Sequence, residues 1–225
     1  GCYGQRGGKS PITRMATAAL LRELLFKARN YVKAKEYGKE PNFDMKLEAM
    51  LPVMSGEIPL KAHVHRADDI FTAIRIAKEY DLDLVLIHCT EGHLNAEKLA
   101  AEKAKAVVGP LICTRTKPEL SNEIDENAAI LKKAGVEVAI CTDHPEVPIK
   151  YLALSAGIAV RAGMDHDDAI KAITSVPAKI MGLSDKIGSI APGKDADLAI
   201  FKGDPLSVYE TPVWVVAGGK IVKKP

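Results

Sequence analysis

Short apolar runs alternate with helix-spaced patterns through the middle of this 225-residue chain, and three of the runs end on metal-ligand chemistry. The run 58–65 ends in His63-Val64-His65, the run 82–88 ends in His88, and the run 136–143 ends in Asp143. A fourth run, 106–112, carries no such residue. Helical patterns follow at about 67–80, 94–104, 123–134, 149–163 and 167–181; in the first, Ile70, Ile74 and Ala77 share one stripe. Short strands alternating with helices predict an α/β fold, a parallel sheet built from right-handed βαβ units. The carboxyl edge of such a sheet is where active sites are built, so residues scattered in sequence become one candidate site.

The flanks read differently. Ser10-Pro11 reads as an N-cap followed by Pro at the first helical position, opening a helix that runs to Tyr37 with Leu20, Leu21, Leu24, Leu25 and Ala28 on its apolar side. A second helix is expected over 44–54. Gly4 to Ser10 superficially matches a phosphate-binding loop, but Tyr3 stands where the motif needs Gly and no strand precedes it. After Gly182 the pattern turns to β-structure, with runs at 196–201, 213–216 and 220–222 and the hairpin signal Ala217-Gly218-Gly219 between the last two. This divides the chain into an α/β region, 1–185, and a β-segment, 186–225.

Composition removes several function classes. Aromatic residues at 5% and a net charge of +2 exclude a stacking or strongly electrostatic nucleic-acid surface. No apolar stretch is long enough to span a bilayer and no signal-peptide pattern opens the chain, so the expected location is cytoplasmic. Cys2, Cys89, Cys113 and Cys141 lack paired spacing and read as reduced thiols. The glycine-rich start Gly1-Cys2-Tyr3-Gly4 reads as a loop with sequence missing upstream.

Side chains on a strand alternate faces, so His63 and His65 share a face with Lys61, and Asp143 shares one with Cys141. His88 points opposite to Cys89, which then packs beneath a helix. A lone strand-end histidine is usually structural; two imidazoles and a carboxylate on three strands at one edge are a ligand set. Imidazole nitrogen and carboxylate oxygen suit zinc, and also iron or manganese. His63, His88 and Asp143 are the candidate ligands, and His65 stays open between ligand and bystander, since only one of the pair needs to bind. His93 and His144 lie in loops at the same edge and are candidate substrate contacts. His166 opens a distant helix and reads as exposed.

These residues resemble the amidohydrolase superfamily, in particular its imidazolonepropionase-related branch. The likeness rests on Lys61-Ala62-His63-Val64-His65-Arg66-Ala67-Asp68, on Leu86-Ile87-His88, on Cys141-Thr142-Asp143-His144-Pro145 and on the tail from Ile187 to Leu198. It implies the carboxyl half of a (β/α)8 TIM-type barrel with a small C-terminal β-sandwich segment. His63 would be the fifth-strand metal ligand. His88 would bind a second metal or polarise the substrate carbonyl. Asp143 would be ligand and general base, and His65 a substrate contact. One or two ions, zinc first, and a small-molecule substrate follow from the same resemblance, as does hydrolysis of a non-peptide carbon–nitrogen bond in a cyclic amide. An aminohydrolase, a dipeptidase or a non-catalytic half-barrel module are the alternatives. The family's first-strand His-x-His pair and fourth-strand lysine have no counterpart, and four barrel strands are present instead of eight. The missing strands predict a homo-oligomer, because edges and inner face would otherwise lie open. The missing ligands predict weak metal binding.

Overall fold

The protein is described here by a computed structural model covering residues 11–225. The expectations for Cys2, for the Gly4–Ser10 loop and for Ser10 as a cap fall outside those residues. Helix α1 (Arg14–Glu36) starts three residues later than the sequence suggested. Thr13 is its cap, its hydroxyl accepting from the Ala16 amide at 3.1 Å, and Pro11 precedes the helix. The expected helix over 44–54 is two short ones, α2 (Met45–Glu48) and α3 (Leu51–Met54), and Asp44 caps the first. Pro52 explains the break, since its ring is tolerated only in a first turn.

Four strands then alternate with helices: β1 (Leu60–Val64), α4 (Ala67–Glu79), β2 (Leu84–His88), α5 (Ala96–Ala101), β3 (Lys105–Val108), α6 (Asn127–Ala134) and β4 (Glu137–Ile140). They form one parallel sheet in the order β1-β2-β3-β4. That order is the chain's own, without the reversal that marks a doubly wound sheet. With right-handed crossovers, sequential order sends every connecting helix to the same face. The packing agrees. Val64, Leu86, Ala106, Val108, Val138 and Ile140 meet Ile70, Leu99 and Leu131 of the helices in one large core. On the other face Val85 and Ala139 make a smaller cluster with Ile180, and Ile87, Val107 and Val176 pack against it.

Two helices follow β4, α7 (Leu152–Arg161) and α8 (His166–Ala172), and then a third, α9 (Ser175–Ile180). The expected continuous helix over 167–181 is thus interrupted at Ile173 and Thr174, and Pro177 lies within the first turn of the next piece. The last strands, β5 (Leu198–Ile200), β6 (Trp214–Ala217) and β7 (Lys220–Lys223), form an antiparallel sheet in sequence order. Gly218 and Gly219, at φ +54° and +76°, make the two-residue hairpin loop expected there, where both central positions need positive φ. Among the described residues no helix is long and apolar enough to cross a membrane.

Candidate metal centre

The site is built where β1 and β2 end side by side, with Val64 registered against His88. Strict alternation would send His88 to the helix side, because Leu84 and Leu86 of the same strand already pack there. The backbone prevents this. His88 and Cys89 both take left-handed conformations, at φ +72° and +47°. The twist turns the His88 ring toward the histidines of β1 and drops Cys89, fully buried, into the helix-side core. Asp143, at φ +54°, is strained in the same way beyond the end of β4. Such strain persists only where surrounding structure enforces it, and it concentrates at functional sites.

Three imidazoles converge as a result. The ring nitrogens of His63, His65 and His88 lie within 4.8 Å of one another. His63 Nε2 and His65 Nε2 are 3.0 Å apart, and the His65 ring stacks on His88 with centroids 4.7 Å apart. His88 Nδ1 donates to the Gly109 carbonyl at 2.6 Å, which leaves its Nε2 lone pair available. Burial, with the neighbouring His88 and His63, pushes His65 down to about 4. Burial, His88 and Lys117 also hold His63 below the usual imidazole value. Both rings are therefore neutral at pH 7, the form that binds a metal. Three neutral imidazoles are a recognised zinc donor set, and ligands bonded to zinc at ~2.1 Å lie about 3.4 Å apart. The donor chemistry fits, and the observed spacing requires only small ring movements.

His65 belongs to this cluster; the sequence left it open as a ligand, and the resemblance implied a substrate contact. Asp143 is not one of the three clustered groups. It lines a cavity of about 60 Å³ with His65, His88, Thr90, Lys117 and Glu146, and its charge favours protonation of His63. The His93 ring is tied to its own loop, Nδ1 donating to the Thr90 carbonyl at 3.2 Å, while its amide meets buried Asn127 at 3.0 Å. His144 Nδ1 accepts from the Ile149 amide at 3.3 Å. His166 is exposed as expected, yet its Nε2 bonds Asp204 at 2.9 Å.

Several supporting residues were not singled out by the sequence. Glu91, 7% exposed, accepts from the Ala67 amide at 2.7 Å and from Asn122 Nδ2 at 2.9 Å. It caps α4 from another loop, a position for which Arg66 supplies no side-chain bond. Gly109 sits at φ +135°, and a Cβ there would lie 2.1 Å from the Cys141 carbonyl oxygen. The Gly109-Pro110 pair was the available signal, as turn punctuation directly after a strand. Cys89, Cys113 and Cys141 are free thiols. Burial pushes Cys89 up to about 12, so it is inert.

The pattern of the amidohydrolase family matches residues 61–224. An amidohydrolase structure from Thermotoga maritima MSB8 is 43% identical, with a TM-score of 0.92 over 99% of this chain and 59% of that one. An imidazolonepropionase of Paracidovorax citrulli is 28% identical over 179 residues, 74% of this chain and 41% of that protein. The amidohydrolase tasK of Hapsidospora irregularis is 22% identical over 182 residues, 78% of this chain and 18% of that protein. The chain belongs to the amidohydrolase family. Within it, the chain falls on the imidazolonepropionase-related branch. It spans less than half the length of these curated relatives.

Proposed function

We propose that this chain is the carboxyl half of the (β/α)8 barrel of a metal-dependent amidohydrolase, with 1–185 in the barrel and 186–225 contributing to a small β-sandwich. The parent protein hydrolyses a non-peptide carbon–nitrogen bond, in a cyclic amide. Sequential strand order with the connecting helices on one face supports the half-barrel. The observation that carries the function is the convergence of His63, His65 and His88 at the carboxyl edge.

His63 and His88, with Asp143, would hold the ion, zinc first, and His65 stands beside them in the cluster. Bound there, zinc lowers the pKa of water to ~7 and supplies hydroxide at neutral pH. Asp143, on the cavity wall with His65 and His88, would take up a proton from the nucleophile and return it to the departing nitrogen. Lys117 lines the same cavity, and its charge helps keep His63 and His65 deprotonated. The expectation of weak or no metal binding rested on the first-strand pair and fourth-strand lysine that this chain lacks. With His63, His88 and Asp143 present, zinc is expected to bind this chain at one per molecule.

Elemental analysis of the purified chain tests the centre, and a chain free of zinc after loading and gel filtration sinks the proposal. A panel of cyclic amides and amino-heterocycles, given to the parent protein, tests the chemistry. Ring-opened acid without ammonia is expected, and it should vanish in D143N. Release of ammonia instead would make the protein an aminohydrolase.

A further inference from the structure

His88 and Cys89 take left-handed conformations in succession, at φ +72° and +47°. Neither is glycine, so each carries steric strain that its surroundings must hold in place. Relaxed, the turn would return the His88 ring to the helix side, where strand alternation sends it. Part of what holds it comes from another element. Asn127, 3% exposed, opens α6, and its Nδ2 donates to the Cys89 carbonyl at 3.0 Å. Its Oδ1 accepts from the His93 amide, also at 3.0 Å. The Gly92 amide meets the same Cys89 carbonyl at 2.8 Å from within the loop.

A backbone carbonyl only accepts and a backbone N–H only donates, so the two partners fix both ends of the carboxamide. An ionised aspartate could accept from His93 but would set an oxygen against the Cys89 carbonyl. The contact is backed by packing. A Cβ on Gly92 would lie 3.1 Å from Leu131, one turn along α6 from Asn127. The peptide that follows Cys89 is thus pinned to α6, while the His88 ring is held on its Nδ1 by the Gly109 carbonyl at 2.6 Å. Asn127 also lines the cavity shared by His88 and Asp143, with both ends of its side chain engaged by the loop.

We propose that Asn127 is a positioning residue for His88: by holding the Cys89 carbonyl and the His93 amide it keeps the left-handed turn that aims the imidazole at the site. Its consequence for metal binding rests on the reading of His88 as a ligand. The placement of the ring does not, and the two are tested apart.

The His88 Nδ1 proton, buried and bonded to Gly109, should give a slowly exchanging downfield ¹H NMR resonance in the metal-free chain, which H88A identifies by removing it. N127A and N127D should both lose that resonance. By chelator competition both should weaken zinc binding by about 10-fold, the lower end of the range for groups bonded directly to a ligand. I76A removes a buried side chain of α4 outside the loop, so it should lower the unfolding midpoint and keep the resonance. If N127A or N127D keeps the resonance, the proposal is overturned. If I76A loses it too, the loss reports general loosening and the proposal is likewise overturned. A wild-type chain without an H88A-sensitive resonance overturns it as well. A chain that loses the resonance in N127A but binds zinc as before, or binds none at all, supports the positioning and removes the reading of His88 as a ligand. If neither Asn127 variant folds, a coupling across the hydrogen bond from the Asn127 side-chain nitrogen to the Cys89 carbonyl carbon decides. Its presence in the wild-type chain supports the proposal, and its absence overturns it.

Discussion

Two successive left-handed residues, His88 and Cys89, turn the His88 ring from the helix side to the site. Alternation on β2 would have buried it among leucines, and the left-handed turn at His88 and Cys89 puts it with His63 and His65. The sequence placed these three residues at one sheet edge because strand ends can be read from apolar runs. It ranked His63 above His65, but it could not show Thr90, whose hydroxyl oxygen lies 2.8 Å from His65 Nδ1 from twenty-five positions away in the chain. The same scale carries two predictions. H88A removes the most buried of the three imidazoles, so zinc affinity should fall by more than the roughly 10–100-fold lost with an outer partner, as read by chelator competition. G109A places a Cβ against the Cys141 carbonyl at a φ that L-residues avoid. It should cost at least about 1–3 kcal/mol in urea unfolding and weaken zinc binding as well, because the His88 acceptor moves. An unfolding midpoint equal to wild type would contradict the tight packing described at Gly109.

At the scale of elements, periodicity located the four parallel strands and their helices but overextended the pieces that contain proline. Pro52 and Pro177 each fit a first turn, so each long helical pattern resolves into two shorter helices. Long-range side-chain bonds were invisible to periodicity for a different reason, since they join residues far apart in sequence. One such bond fastens the segment between β5 and β6 to the α/β region. Leu206 is buried, with its carbonyl 2.6 Å from where a Cβ on Gly157 of α7 would sit, and His166 at the start of α8 bonds Asp204. The hydrogen bond to Asp204 raises the His166 pKa, and the same bond lowers that of Asp204. A raised histidine adds stability that is fully present below its unfolded pKa of about 6.5 and is lost as pH rises through its higher folded value. The depressed aspartate adds stability above its unfolded pKa of about 3.9 that is lost as pH falls through its folded value. The fastening is therefore strongest between these limits. After correction for the intrinsic pH dependence of exchange, amide protection around Leu206 should be greater at pH 6 than at pH 8. H166A should abolish that difference, and an unchanged difference in H166A would refute the assignment to His166.

Among the described residues the parallel sheet of the whole molecule has two open edges, β1 and β4. An unpaired edge strand leaves a row of amide and carbonyl groups that templates further pairing. Beside β1 the opening widens into a groove of about 470 Å³ lined by Leu21, Leu24 and Leu25 of α1 and by Leu60, Ala62 and Val64 of the strand. Helix α1 adds exposed apolar surface at Leu20 and Phe26. Four parallel strands, where the resemblance implied eight, were legible as a count. The groove was not, because α1 reaches β1 only in the folded chain. We expect the isolated chain to cover this region by self-association. Multi-angle light scattering at micromolar concentration should report a species larger than one chain. Leu21 is 42% exposed and lines the groove, so a glutamate there removes apolar contact across an interface while costing the folded chain little, within about 0.5 kcal/mol for an exposed site. L21E should therefore shift the species toward one chain and leave the unfolding midpoint extrapolated to low protein concentration unchanged. A wild-type chain that scatters as a monomer throughout the micromolar range would mean that the edge and groove are tolerated open, and the association argument would fail.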